Sequence, residues 1–242
     1  MTEPALVLVF KRPSLGIGKQ RLSPLLSPHG AQRVAAALLE CALEDCRSWP
    51  GPVVISPARP EDCSWAESLL KGTHVIPQGE GNLGQRINTL DQRLRDDGYA
   101  RIVYMGSDAP ALQERDYEDV RNALGHHDVV LSPSTDGGVV LMASRIPWPN
   151  LSSLPWSTAD LGAALQDRCQ SKGMNVAILS TGFDIDLPAD LARGILALEG
   201  DSRPARQAFR HLVCQLAKTV PLRTEPGLEE TNLVHKALSW NH

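Results

Sequence analysis

The order in which apolar runs and helix-period segments alternate restricts the fold of this chain more than any other feature. Residues 5–10, Ala-Leu-Val-Leu-Val-Phe, form a continuous apolar run, which marks a strand covered on both faces. Ser27-Pro28 then offers an N-cap and a first-turn proline, and residues 31–46 keep apolar side chains at helical spacing until Trp49-Pro50-Gly51 ends them. Further along, the pattern predicts strands at 52–56, 74–76, 101–105, 128–132, 139–142 and 175–179. Helices are predicted between them at 61–71, 83–95, 114–124 and 159–169. Repeated βαβ order builds an α/β fold with a mostly parallel sheet. Residues 133–138, Pro-Ser-Thr-Asp-Gly-Gly, are too short for a crossover helix, so one of the two runs they join is antiparallel or leaves the sheet. Two last helices are predicted at 188–198 and 204–218, followed by a polar tail, 221–242, that carries Leu233, Val234, Leu238 and Trp240. No repeat or linker interrupts this order, and we expect one domain over residues 1–220 plus the tail.

Composition narrows the partners. A chain of 242 residues, 42% hydrophobic, is long enough to bury its own core without disulfides or a structural metal. With 24 Lys and Arg against 28 Asp and Glu and no sustained basic block, it lacks the usual electrostatic footprint for nucleic acid. No apolar run approaches the roughly 20 residues of a membrane span, and Met1-Thr2-Glu3-Pro4 lacks a basic leader region, so a cytoplasmic protein is expected. The five cysteines, at 41, 46, 63, 169 and 214, show no C-x-x-C pair and read as reduced, mostly buried thiols.

Ligands of parallel α/β sheets bind where loops leave the carboxyl ends of strands, so the candidate chemistry lies in those loops. After the first run comes Lys11-Arg-Pro-Ser-Leu-Gly-Ile-Gly-Lys-Gln-Arg21. Its cations Lys11, Arg12, Lys19 and Arg21 suit phosphate oxygens, and Gly16 and Gly18 let backbone N–H groups approach an anion; the other reading is a solvated basic turn. The loop is neither a Walker A nor a G-x-G-x-x-G sequence. After residues 101–105 comes Gly106-Ser107-Asp108-Ala-Pro110, where Asp108 is placed either to hold a divalent cation or to cap a turn. In Phe183-Asp-Ile-Asp-Leu-Pro-Ala-Asp190, alternation along an extended segment would turn Asp184 and Asp186 to opposite sides, so one of them can join Asp108. Asp190, in the first turn of the next helix, complements the helix dipole. Gln78 can read a base edge, and the stretch 79–86, with Gly84, opens a helix whose N–H groups are free for a ligand. Asp136-Gly137-Gly138 permits either close ligand approach or a tight turn. None of the histidines, His126-His127, His235 and His242 among them, sits in a nucleophile context, and no G-x-S-x-G elbow is present, so a triad hydrolase is not expected.

Taken in order, Lys11-x-Pro-x-x-Gly-x-x-Lys-x-Arg-Leu22, Asn82-Leu-Gly-x-Arg86, Gly106-Ser-Asp-x-Pro110, Asp136-Gly-Gly138, Trp156-Ser157 and Asp184-x-Asp-x-Pro-x-Asp-Leu191 resemble a bacterial family of transferases called DUF2064 or rSAM/selenodomain-associated transferase 1. The likeness covers roughly residues 5–195 and looks like a branch of the GT-A superfamily of glycosyltransferases and nucleotidyltransferases. It implies a Rossmann-like α/β/α sandwich with a mixed, mostly parallel sheet. It also implies a nucleotide (NTP or nucleotide-sugar), a small-molecule acceptor and Mg²⁺ or Mn²⁺ as cofactor. By that resemblance Asp108 and Asp186 hold the metal, Lys19, Arg21 and Asp108 are catalytic, and Lys11, Gly16, Gly18, Lys19, Arg21, Gln78, Gly84 and Ser107 bind the nucleotide. Asp136, Gly137, Gly138 and Trp156 would then face the acceptor. The basic loop also looks like that of phospholactate guanylyltransferases, which favours nucleotidyl transfer to a small phosphorylated or acidic acceptor, with glycosyl transfer as the alternative. A non-catalytic nucleotide-binding protein is a third reading. Three positions depart from the family pattern: Gln20 replaces the middle threonine of Lys-Thr-Arg, and Val139-Val140 replace an aromatic pair.

Overall fold

The apolar runs assemble into one seven-stranded sheet in the computed structural model, which describes residues 2–219; the tail at 221–242 lies outside the described residues. The strands are β1 (Ala5–Phe10), β2 (Val53–Pro57), β3 (His74–Val75), β4 (Ile102–Met105), β5 (Val129–Pro133), β6 (Val139–Ser144) and β7 (Val176–Ile178). Their spatial order is β3-β2-β1-β4-β6-β5-β7. Every pairing is parallel except the two made by β6, which runs antiparallel between β4 and β5 and so resolves the short 133–138 connection. The strand order reverses direction between β1 and β4, the position at which open α/β sheets leave a crevice for ligands.

The helices are α1 (Ser23–Ser48), α2 (Cys63–Ala66), α3 (Leu83–Asp96), α4 (Glu114–Leu124), α5 (Leu161–Gln170), α6 (Pro188–Ala197) and α7 (Pro204–Thr219). Ser27 has φ 66° and ψ 163°, which breaks α1, and its hydroxyl accepts the N–H of Gly30, so the expected cap is present with an extra turn ahead of it. The helix expected over 61–71 is shorter. A 3-10 turn at Pro60–Asp62 leads into α2, and the chain then leaves in i→i−3 turns while the Ser68 hydroxyl competes for the Trp65 carbonyl.

The chain divides into two compact units. The first, Met1–Lys11, Asp45–Ser107 and Leu112–Phe183, holds the whole sheet. On one face Val7, Val54, Tyr104, Leu131 and Met142 pack with Ile87, Leu90 and Leu94 of α3 and Leu161 and Leu165 of α5. Met105 follows Tyr104 and therefore points the other way, where the Tyr117 hydroxyl of α4 meets its sulfur. Helices on both faces of a mixed sheet make this an α/β/α Rossmann-like fold. The second unit comprises Arg12–Glu44, Asp108–Ala111 and the described chain from Asp184 onward. Its core is Leu22, Val34, Leu38, Leu39, Ile185, Leu191, Ile195, Phe209 and Val213, each buried. All five cysteines are free thiols. Among the described residues no helix is long and apolar enough to cross a membrane.

Asp128, just ahead of β5, accepts the N–H of Asn175 and a fork from Arg145, and these two hold its carboxyl below the usual range. A lowered folded-state pKa stabilises above the unfolded pKa of about 3.9 and loses that contribution as pH falls through the folded value. Asp128→Asn is expected to lower the melting temperature by about 2–4 °C at neutral pH, with the gap to wild type closing below about pH 4 in a calorimetric pH series.

Candidate functional site

In the second unit a basic loop, a short irregular segment and the entry to α6 converge on one cluster of charge. The loop turns tightly at Ser14–Ile17, where the Ile17 N–H donates to the Ser14 carbonyl. Gly16 (φ 77°) and Gly18 (φ 71°) take left-handed conformations with open space around them, so glycine is required there by backbone angle and not by crowding. Lys19 is left-handed as well (φ 49°) and heads the 3-10 turn Gln20–Leu22, which the fully buried Leu22 anchors. This places the Lys19 ammonium 3.0 Å from the Asp108 carboxylate and 2.5 Å from that of Asp186. Burial of Lys19 works against its charge, but Asp108 and Asp186 outweigh that and raise its pKa above the ordinary lysine value.

Asp108 and Asp186 are held through their backbones. The N–H of Ile185 donates to the Asp108 carbonyl at 2.9 Å, with the Ile185 side chain fully buried beside Gly194 of α6. The Asp190 carboxylate accepts the N–H groups of Asp186 and Leu187, so it caps α6 and fixes the segment that carries Asp186.

Asp184 corrects the expectation that only one late aspartate can join Asp108. Single oxygens of Asp108, Asp184 and Asp186 all lie within 4.8 Å of one another. The reason is local: the residues around Asp184 and Asp186 form no strand, so the two-residue alternation of an extended chain does not apply. An Asp-x-Asp spacing just ahead of α6 was the available signal; only the irregular backbone brings both carboxylates to Asp108. The Lys19 ammonium lies against two of the three carboxylates, and about 40% of the Asp108 and Asp186 side chains is exposed. An all-oxygen set of this kind is the donor chemistry of Mg²⁺ and Mn²⁺, and the Lys19 ammonium shows that the cluster already holds a cation. Arg21 lies exposed in the turn after Lys19.

The other candidates belong to the sheet unit. Lys11 is exposed and Ser107 half-buried. Gln78 is buried, and its amide donates to the carbonyls of Phe10 and Ser56, so its N–H groups are committed to the strand ends rather than to a ligand. The free N–H groups expected at the start of α3 are partly taken by an Asn82–Gln85 capping box. Gly84 and Trp156 come together: the indole N–H donates to the Leu151 carbonyl, and a methyl group at Gly84 would collide with both. Gly84→Ala is expected to cost about 2–3 kcal/mol, lowering the melting temperature by about 5–10 °C, and an unchanged midpoint would contradict the packing argument. Gly137 (φ 89°) lies against the Ala159 carbonyl, and the Asp136 carboxylate accepts the Gly138 N–H, which is the tight-turn alternative.

The family model described as an uncharacterized protein conserved in bacteria, DUF2064, matches residues 38–158, and the chain belongs to that family. No curated protein matches the sequence. Among solved structures, a candidate nucleotide-diphospho-sugar transferase from Desulfovibrio desulfuricans G20 superposes with a TM-score of 0.78 at 22% identity, covering 98% of this chain and 99% of that one. A cytidylyltransferase from Leptospira borgpetersenii serovar Hardjo-bovis gives a TM-score of 0.52 at 12% identity, over 93% and 99% of the two chains. A 4-diphosphocytidyl-2C-methyl-D-erythritol synthase gives 0.53 at 11% identity, over 83% and 100%. At these identities the likeness is one of fold.

Proposed function

We propose that this DUF2064 member is a divalent-metal-dependent nucleotidyltransferase that moves a nucleoside monophosphate from an NTP to a small phosphorylated or acidic acceptor. The observation that carries the reading is the cluster of Asp108, Asp184 and Asp186 around the Lys19 ammonium. In this reading the three carboxylates hold Mg²⁺ or Mn²⁺, which supplies charge neutralisation to the phosphates when bound. Lys19 and Arg21 neutralise the β- and γ-phosphates, and the N–H groups near Gly16 and Gly18 add donors. An acceptor oxygen attacks the α-phosphorus, the bond from that phosphorus to the bridging oxygen breaks, and pyrophosphate leaves with the electron pair. Catalysis then consists of positioning and charge stabilisation, with no covalent enzyme intermediate.

The fold relatives support this reading, two of them being named for cytidylyl transfer or a diphosphocytidyl product. The full-length likeness to the candidate nucleotide-diphospho-sugar transferase favours a second reading, glycosyl transfer with a nucleoside diphosphate as leaving group. A thermal-shift series with the four NTPs and with nucleotide-sugars, each with and without Mg²⁺ or Mn²⁺, followed by assay for released pyrophosphate, separates them. An NTP-selective, metal-dependent rise with pyrophosphate release is expected; a rise confined to nucleotide-sugars would replace nucleotidyl with glycosyl transfer.

A further inference from the structure

We infer that Arg206, on α7, is a positioning residue that sets the place of Asp108 through the backbone of Pro110. The inference rests on the reading of Asp108 as a metal ligand. Arg206 is the largest fully buried side chain among the described residues, 0% exposed, in a helix that already buries Phe209, Val213 and Ala217. A guanidinium in that place carries a heavy desolvation penalty that an apolar residue would avoid, so its bonds account for its presence. Its Nε donates to the Pro110 carbonyl at 3.1 Å. One terminal nitrogen donates to the Cys41 carbonyl and, at 2.9 Å, to the Glu44 carboxylate, whose other oxygen accepts the Ala205 N–H.

These bonds matter for the site because residues 108–111 form no helix or strand of their own. The segment is gripped at both ends instead, the Asp108 carbonyl by the Ile185 N–H and the Pro110 carbonyl by Arg206. The first grip aligns Asp108 with the chain that carries Asp184 and Asp186; the second ties the same short segment to α1 and α7. Two nitrogens of the planar fork serve the three acceptors, an arrangement that the single ammonium of a lysine cannot reproduce.

The test is Mn²⁺ affinity of the metal-free protein, read by electron paramagnetic resonance, in wild type, Arg206→Lys and Asp108→Ala. Phe209→Leu on the same helix serves as a control for stability alone. We expect Arg206→Lys to bind Mn²⁺ about tenfold more weakly and with an altered line shape, the size usual for loss of an outer partner of a ligand. Phe209→Leu should lower the melting temperature and leave Mn²⁺ affinity unchanged. If Arg206→Lys does not fold, Glu44→Gln, which weakens the same grip, carries the same expectation. A Mn²⁺ site lost in Asp108→Ala but intact in Arg206→Lys overturns the inference and leaves the proposed metal site standing. Wild-type protein that binds no Mn²⁺ overturns both.

Discussion

Replacing Asp108 by alanine weakens divalent-cation binding at least about 100-fold and abolishes metal-dependent nucleotide turnover, while the melting temperature moves by no more than about 2–4 °C. The two halves of this expectation have one physical source. Asp108, Asp184 and Asp186 bring three like charges within 4.8 Å, with the Lys19 ammonium against Asp108 and Asp186. Removing Asp108 deletes an ion pair but also relieves two carboxylate repulsions, and its side chain is 36% exposed, so solvent screens both. Sites arranged for binding a cation are commonly held against electrostatic strain, and relieving it sacrifices function rather than stability. Calorimetric metal titration alongside differential scanning calorimetry checks the pair of outcomes. Unchanged metal affinity in the variant would remove Asp108 from the site.

Lys19→Met should separate metal from nucleotide. The Lys19 side chain is only 10% exposed and spends its charge on Asp108 and Asp186. Methionine keeps the length and removes the charge, leaving Asp108 and Asp186 without the ammonium they share. Stability without metal is expected to fall by about 1–3 kcal/mol, less than the usual 3–5 kcal/mol for breaking a fully buried pair because the aspartates remain partly solvated. Mn²⁺ should bind about tenfold more tightly than to wild type, since it no longer competes with an ammonium, and should restore the lost stability by linkage. NTP affinity should drop about 10–100-fold, because a charge-assisted phosphate contact is gone. Opposite signs for the two ligands are the signature. If both affinities fall together, Lys19 supports the shape of the site and does not trade between acids and phosphates.

The residues show how far one dimension carries the reading. The apolar run of β1, the Ser27 cap, the lack of room for a crossover helix in the short 133–138 connection and the extent of α4 were all legible, because periodicity and turn chemistry act over a few neighbouring residues. The helix expected over 61–71 is cut short after Ala66 by hydrogen bonds that close i→i−3 turns, a competition invisible in hydrophobic spacing. Gly84 reads in sequence as part of a helix opening with N–H groups free for a ligand, yet its neighbours in space are Leu151 and Trp156, about seventy residues away. The rule for extended chain admits only one of Asp184 and Asp186 beside Asp108, and the irregular backbone there does not obey it. Nothing near Arg206 in the sequence hints at Pro110 or Cys41, its partners about a hundred residues or more away.

By itself the amino-acid order determined the α/β class, the strand and helix succession and the loops in which charged residues gather, since each of these depends on local propensity and on which faces must leave water. The tertiary structure alone decided which charges meet. Lys19, Asp108, Asp184 and Asp186 come from three segments spread over nearly 170 residues, and their encounter depends on the path of the backbone after each element ends. That path is fixed by distant grips such as Ile185 on Asp108 and Arg206 on Pro110, and only a folded chain can make them.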